Sequence, residues 1–387
     1  GARHPGINKA FVNPAFAFNT SDGFMIGTIF SNSIFPPGKF EWSINPFIST
    51  QNPSLVGRAF LSYKKFWYSE KRGTHVEFLM KNRLQRFSYN SSQTNSLKYH
   101  VVNPLFELSE KKILGTNQTR YGLRYEISFV DRERRSLSPF TQEYYTYNEN
   151  YLVNELSTFI KKKKALKSSE LSLGVQFNNE FMLGNFELNN FYRYQPHRRK
   201  GLELRLFSGY VFDDSEIFPE AQIRISNNFR SFSDKKTEAV GLRQIQDFTY
   251  DELYFDRAAQ TGLLSRQQYI NMGGFYTESP LYLGSEWIIA ANISASVPFE
   301  VPFELFLNMA TTDIHQEEDL FLSYEGGISL TLYNRIFEVH FPFLYSSDFY
   351  DADDENNGYL QLNDIKPLER IVFTLNLNKL LSIESYR

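Results

Sequence analysis

The segment GLELRLFSGYVF, residues 201–212, alternates strictly between two kinds of side chain. Leu202, Leu204, Leu206, Tyr210 and Phe212 fall on one side of an extended chain, and Glu203, Arg205, Phe207, Gly209 and Val211 on the other. A period of two is the pleat of a β-strand, and a shift of one residue would exchange the two faces completely. The same period recurs along the chain. Residues 119–130 set Tyr121, Leu123, Tyr125, Ile127 and Phe129 against Gly122, Arg124, Glu126 and Ser128. LSLGVQFN (171–178), AQIRISNNF (221–229), WIIAANISASV (287–297), YEGGISLTL (324–332), FEVHFPF (337–343) and IVFTLNLN (371–378) read alike. These runs exceed the usual soluble strand of about five or six residues. Short turns are predicted at SDG (21–23), PPG (36–38), DDSE (213–216) and YNR (333–335). The pattern predicts about sixteen strands, between about fourteen and eighteen, and no ordinary helix.

Two architectures expose an apolar face on every strand, the soluble sandwich or barrel and the transmembrane barrel. A tilted strand crosses a bilayer in about 9–11 residues, and its lipid face stays uncharged over that span. Residues 119–130, 201–212 and 284–297 meet this requirement, while their opposite faces carry Glu, Arg, Asn, Gln, Ser and Gly. The fold class expected is therefore all-β, an antiparallel transmembrane β-barrel with long extracellular loops, filling residues 1–387 as one domain. Lipid-facing positions are expected at Leu202, Leu204, Leu206, Tyr125, Ile127, Phe129, Ile289, Ile293, Phe373 and Leu375. Aromatic residues make up 17% of the chain, which suits the interfacial girdles of such barrels. Trp42, Trp67 and Trp287 are the principal girdle candidates, joined by Tyr68 and Tyr194. Mean hydropathy is negative, as it must be when only alternate residues meet lipid, and no apolar run of about eighteen residues offers a membrane-spanning helix.

Two stretches break the alternation. Residues 231–283 are mixed polar, charged and aromatic, and are expected to form a long loop, a lid or plug that buries Phe248, Tyr250, Tyr254 and Phe255. Residues 346–368 are acidic and are expected to form a second long loop at the same end. Lys161 to Lys164 with Lys167 would cap a hairpin or meet anionic headgroups.

Signals for chemistry are few. Cys is absent, which excludes disulfides and thiolate metal sites, and a net charge of −3 gives no electrostatic reason to bind nucleic acid. Six His residues occur, none in an H-E-x-x-H pair, and HQEED at 315–319 lacks the second His and reads as a charged loop. No nucleophile elbow, P-loop or dinucleotide fingerprint is present. Asp351, Asp353 and Glu355, with Asp354 and Asp364, are weak Ca²⁺ candidates on an otherwise solvated loop. A lumen nucleophile such as Ser or Asp paired with His340 would make the chain an embedded hydrolase, but no spacing in the sequence points to one. No catalytic residue, metal or cofactor is therefore assigned to this chain.

SDGFMIGTIFSNSIFPPGKFEW (21–42), QDFTYDELYFDR (246–257), GGF (273–275) and LERIVFTLNLNK (368–379) carry a family resemblance. Together they resemble the C-terminal outer-membrane barrel that follows a zinc aminopeptidase-like region in Gram-negative proteins. The opening D-G followed by apolar residues and Gly is also similar to surface-antigen barrels of the outer-membrane assembly type. The first resemblance implies that zinc ligands and a catalytic Glu belong to an upstream region, so that this chain is the anchor and not the peptidase. GARHPGINKAF, residues 1–11, lacks the layout of a secretion signal, as expected of a mature chain or a piece of a longer one. The function expected is a bacterial outer-membrane anchor or scaffold whose partners are the bilayer and other outer-membrane or periplasmic proteins. A channel gated by 231–283 and an assembly factor with a loosely joined first and last strand are the alternatives.

Overall fold

A computed structural model describes residues 10–19, 22–32, 38–51, 53–70, 73–89, 97–137, 144–194, 200–213, 223–224, 274–276, 283–284, 286–312, 321–333, 335–346 and 371–375. The strands are β1 (Phe11–Asn19), β2 (Gly23–Ser31), β3 (Phe40–Ser49), β4 (Leu55–Ser69), β5 (Thr74–Tyr89) and β6 (Leu97–Leu114). They continue with β7 (Asn117–Leu137), β8 (Tyr144–Lys163), β9 (Lys167–Phe177), β10 (Met182–Arg193) and β11 (Gly201–Asp213). The last wall strands are β14 (Trp287–Ser296), β15 (Phe303–Thr312), β16 (Phe321–Leu332), β17 (Phe337–Tyr345) and β18 (Val372–Leu375). These sixteen form one antiparallel sheet in sequence order, and β12 (Ile223–Arg224) pairs with β13 (Leu283–Gly284) in a separate two-stranded sheet. The fold class is all-β, with the strand order of an up-and-down antiparallel barrel, and no helix occurs among the described residues.

Two sequence expectations need correction. Ile223 and Arg224, the described residues of AQIRISNNF, do not join the wall: they pair with Leu283 and Gly284 in the separate sheet. DDSE does not join two adjacent wall strands either, because the next wall strand after β11 is β14, paired from Leu202↔Ala295 to Tyr210↔Trp287. The reason is local: the inner face of β11 has a gap at Gly209, and Ile223 fills it. A Cβ at Gly209 would lie 2.4 Å from Ile223 Cγ2. We predict that Gly209→Val expels β12 and costs about 1–3 kcal/mol by overpacking. Faster proteolysis within the β11–β14 connection, reversed by adding Ile223→Ala, is the result that checks it.

The chain divides into two compact units, one of residues 1–110, 124–155 and 238–248, the other of 111–123, 156–237 and 249–387. In the first unit the inner side buries an apolar cluster that includes Met25, Phe47, Val56, Phe87 and Val101. Beside it, Glu107 accepts from Arg124 at 2.9 Å and Glu149 accepts from the fully buried Arg132 at 2.6 Å. The opposite side of its first three strands is apolar and exposed at Val12, Phe16, Ile26, Ile44 and Ile48.

In the second unit, strand order puts the β6–β7, β8–β9, β10–β11, β14–β15 and β16–β17 hairpins at one end of the sheet. The long β11–β14 and β17–β18 connections leave from the other end. Strand β11 shows the alternation most fully: Leu202, Leu206, Tyr210 and Phe212 are exposed, while Arg205, Phe207, Gly209 and Val211 are buried.

Candidate functional site

The inner face of the second unit carries a polar row whose members are brought together by strand register. Asn189 on β10 lies opposite Arg205 on β11, Arg205 opposite Asn292 on β14, Asn292 opposite Asn308 on β15, and Asn308 opposite Glu325 on β16. Side chains directly opposite in an antiparallel sheet have Cβ atoms about 4.5–5.5 Å apart, close enough for amides and carboxylates to bond laterally. Arg205 donates from Nε to Glu187 at 2.9 Å and from Nη1 to Asn292 Oδ1 at 2.9 Å. Asn292 Nδ2 donates to Asn308 Oδ1 at 2.8 Å, and Asn308 Nδ2 donates to Glu325 Oε1 at 2.7 Å. Glu325 is fully buried, so its carboxylate depends on these donors.

A short piece of the β11–β14 connection completes the row. Gly274 O accepts from Asn292 Nδ2 at 2.9 Å, and the backbone N–H of Tyr276 donates to Glu325 Oε1 at 2.5 Å. The Tyr276 ring stacks on His340 with centroids 3.6 Å apart and meets Phe306 edge-on at 4.8 Å. The segment is thus held by two side chains of the wall through its backbone and by two rings through its side chain. Phe248, Tyr250, Tyr254 and Phe255, expected to anchor a plug, lie outside the described residues.

His340 sits in a second row. Ser296, Glu304, Ser329 and His340 lie opposite one another in turn across β14 to β17. His340 Nδ1 is 2.7 Å from Ser329 Oγ, and Nε2 is 3.1 Å from Thr374 Oγ1. A hydroxyl against an imidazole is the first half of an activated nucleophile. The second half differs here: the far ring nitrogen meets a hydroxyl instead of a carboxylate, and Tyr276 covers the ring. This arrangement satisfies buried polar groups, and no catalytic role is read from it.

Between the rows lies a cavity of about 570 Å³, bounded by β8 to β11, β14 to β17, Gly274 and Tyr276. Near the hairpin end it meets Arg335, in the turn between β16 and β17. Arg335 donates to Glu203 on β11 and to Glu304 on β15, and lies 3.6 Å from Glu338 on β17. Burial opposes its charge, but the three carboxylates outweigh burial and hold its pKa above the ordinary guanidinium value. Arg335 also has φ 63°, a left-handed conformation that costs a residue with a Cβ about 1 kcal/mol or more. We predict that Arg335→Leu lowers stability by about 3 kcal/mol, because Glu304 and Glu338 lose their counter-charge in a buried place. Arg335→Gly, which relieves the backbone, is expected to recover about 1 kcal/mol of that and no more. Urea unfolding in detergent micelles measures both.

Of the residues expected to face lipid, Leu202, Leu206, Phe129 and Ile289 are exposed, and Leu204, Tyr125, Ile127, Ile293, Phe373 and Leu375 are half-buried. Trp67 is exposed, whereas Trp42 and Trp287 are half-buried. Asp351, Asp353 and Glu355 lie outside the described residues. Alternation in the sequence puts Arg205 of 201–212 and Asn292 and Ser294 of 287–297 on the polar side of their strands, but it does not join them to Asn308, Glu325 and Tyr276. No spacing in the sequence links positions 292, 308 and 325, since only the register of three strands does so.

No family model matches the sequence, and no curated protein does. Among solved structures, the chain is similar to BamA from Haemophilus ducreyi lacking POTRA domains 1–3, with a TM-score of 0.43 and 12% identity, over 87% of this chain and 67% of that one. It is also similar to CdiB from Acinetobacter baumannii, with a TM-score of 0.36 and 10% identity, over 86% of this chain and 54% of that one.

Proposed function

We propose that this chain is a bilayer-spanning β-barrel of a bacterial outer membrane that serves as an anchor or scaffold for an upstream domain or partner proteins. The observation that carries the reading is the pair of faces on β11: Leu202, Leu206, Tyr210 and Phe212 exposed, Arg205 buried and bonded. An exposed apolar face repeated over neighbouring strands has no aqueous use, and closure into a barrel is the one way a sheet satisfies its backbone in hydrocarbon. On this reading Leu204, Tyr125, Ile127, Phe129, Ile289, Ile293, Phe373 and Leu375 also face lipid, and Trp67 lies at an interface. A zinc aminopeptidase-like domain before residue 1 is one upstream domain the sequence resemblance implies. The test is alkaline carbonate extraction of membranes from expressing cells, in which the chain should stay with the pellet. Release into the supernatant as a folded soluble protein would overturn the proposal.

A gated conduit is a second reading, favoured by one observation: the polar cavity in the second unit is walled on one side by Gly274 and Tyr276, which separable contacts hold in place. Residues 231–283 then act as the gate, and the resting protein conducts little.

A further inference from the structure

We infer that the paired β6–β7 and β8–β9 hairpins bind anionic phospholipid headgroups at the hairpin end of the sheet, an inference that rests on the bilayer-spanning reading above. Residues 111–123 and 156–170 hold eight cationic side chains against one carboxylate, Glu170, in a chain whose net charge is −3. The two hairpins are neighbours: Thr158 on β8 donates to the Gly122 carbonyl on β7 at 3.1 Å, and Arg120 lies over the Phe159 ring at 5.8 Å. Arg120 and Lys161, both over the buried Phe159 ring, face inward, whereas Lys112, Lys162, Lys164 and Lys167 are exposed on the outward side and form one patch of four cations.

The patch is also placed as a headgroup site should be. Along β8 the outward positions are Leu156, Thr158 and Ile160, all exposed, followed by Lys162 and then Lys164 just past the strand's end. The apolar row thus turns basic where the strand ends. A lysine there lays its methylenes on the apolar surface and lifts its ammonium to the phosphates. Lys112 and Leu114 on β6 and Leu166 in the β8–β9 turn are exposed as well. Lys161 is bridged to Glu170, but no ion pair among the described residues neutralises Lys112, Lys162 or Lys164. A cluster of four to eight cations beside an apolar surface is drawn to anionic lipid, with each Lys adding to the attraction and salt weakening it. The occupant is the phosphodiester headgroup of an anionic lipid, because the cations continue an apolar face and lipid alone offers charge and hydrocarbon at that spacing.

The experiment inserts the chain into mixed phosphatidylglycerol and phosphatidylcholine vesicles and measures, by electron spin resonance, the motionally restricted fraction of each lipid labelled on its acyl chain. Selectivity for phosphatidylglycerol of about fivefold or more is expected at low salt, falling within about twofold at high salt or in the Lys112→Gln, Lys162→Gln, Lys164→Gln variant. Those substitutions are on exposed side chains, and heat-modifiable gel migration confirms that the variant is folded. Equal restriction of the two lipids, or selectivity unchanged in the variant, overturns the inference while leaving the bilayer-spanning reading intact. Failure of the wild-type chain to insert overturns both.

Discussion

Leu204→Arg is expected to prevent assembly into lipid vesicles, whereas the double variant Arg205→Leu, Glu187→Gln assembles nearly as well as the wild type. The two sites are neighbours on one strand and differ in facing. Leu204 stands opposite Ile293 on β14 and belongs to the row shared with Leu202 and Leu206. A guanidinium there enters hydrocarbon at about 2–4 kcal/mol, a sizeable fraction of a stability of about 5–15 kcal/mol. Arg205 is buried on the polar side against Glu187 and Asn292, so Arg205→Leu alone is not benign. It takes the charged donor from the buried Glu187 carboxylate, which keeps the bond from Asn189, at about 1–3 kcal/mol. Glu187→Gln removes the buried charge that Arg205 balanced, which is why the double variant recovers. No second substitution recovers Leu204→Arg, because its cost lies in the lipid and not in a missing partner. The folded fraction in vesicles, read from heat-modifiable migration, decides the matter. Leu204→Arg assembling as well as the double variant would contradict the assigned facing.

That contrast also marks what the sequence holds and what it does not. The facing of β11 is legible at 201–212 because the pleat has a period of exact two-residue repeat and one misplaced Arg or Glu in hydrocarbon costs more than local packing can return. Strands β14, β16 and β17 are legible for the same reason. AQIRISNNF has the same alternation, yet its described residues Ile223 and Arg224 are not in the wall, since Ile223 gains its burial by covering Gly209 from the inner side. Alternation reports that one side of a strand is buried, and it is silent on what buries it. The polar row fails to show for a different reason. Asn292, Asn308 and Glu325 are ordinary inward polar residues until pairing at Asn292↔Asn308 and Asn308↔Glu325 places them side by side. Register depends on turn geometry and on every neighbouring strand, so these contacts exist only after the sheet does. The GGF tripeptide at 273–275 stands out in the sequence through its family resemblance, yet only the folded chain shows Gly274 bonded to Asn292.

Wild-type protein in a planar bilayer is expected to be almost silent, and the double variant Asn292→Ala, Tyr276→Ala to flicker open. Two of the contacts that hold the segment from Gly274 to Tyr276 to the wall have a worth that can be bounded. Asn292→Ala removes the donor to the Gly274 carbonyl, about 0.5–1.5 kcal/mol. Tyr276→Ala removes the stack on His340 and the edge contact with Phe306, about 0.5–1.5 kcal/mol for such an aromatic arrangement beyond its area. The Tyr276 backbone N–H keeps its bond to Glu325 in both variants, so the segment is loosened and not deleted. Together the two losses come to about 2 kcal/mol, and each 1.4 kcal/mol is tenfold, so the open fraction should rise by about thirtyfold. Each single variant should give a rise of about three- to tenfold, because the two contacts lie on different atoms of the segment and share no partner. Asn292→Ala also takes an acceptor from Arg205 and a donor from Asn308, but Arg205 still bonds Glu187 and Asn308 still bonds Glu325, so a folded barrel is retained. Steady large openings of the wild type would show that the segment does not close the cavity. Silence of the double variant in a folded barrel would show that closure does not depend on these contacts, and the conduit reading would then fall to the anchor.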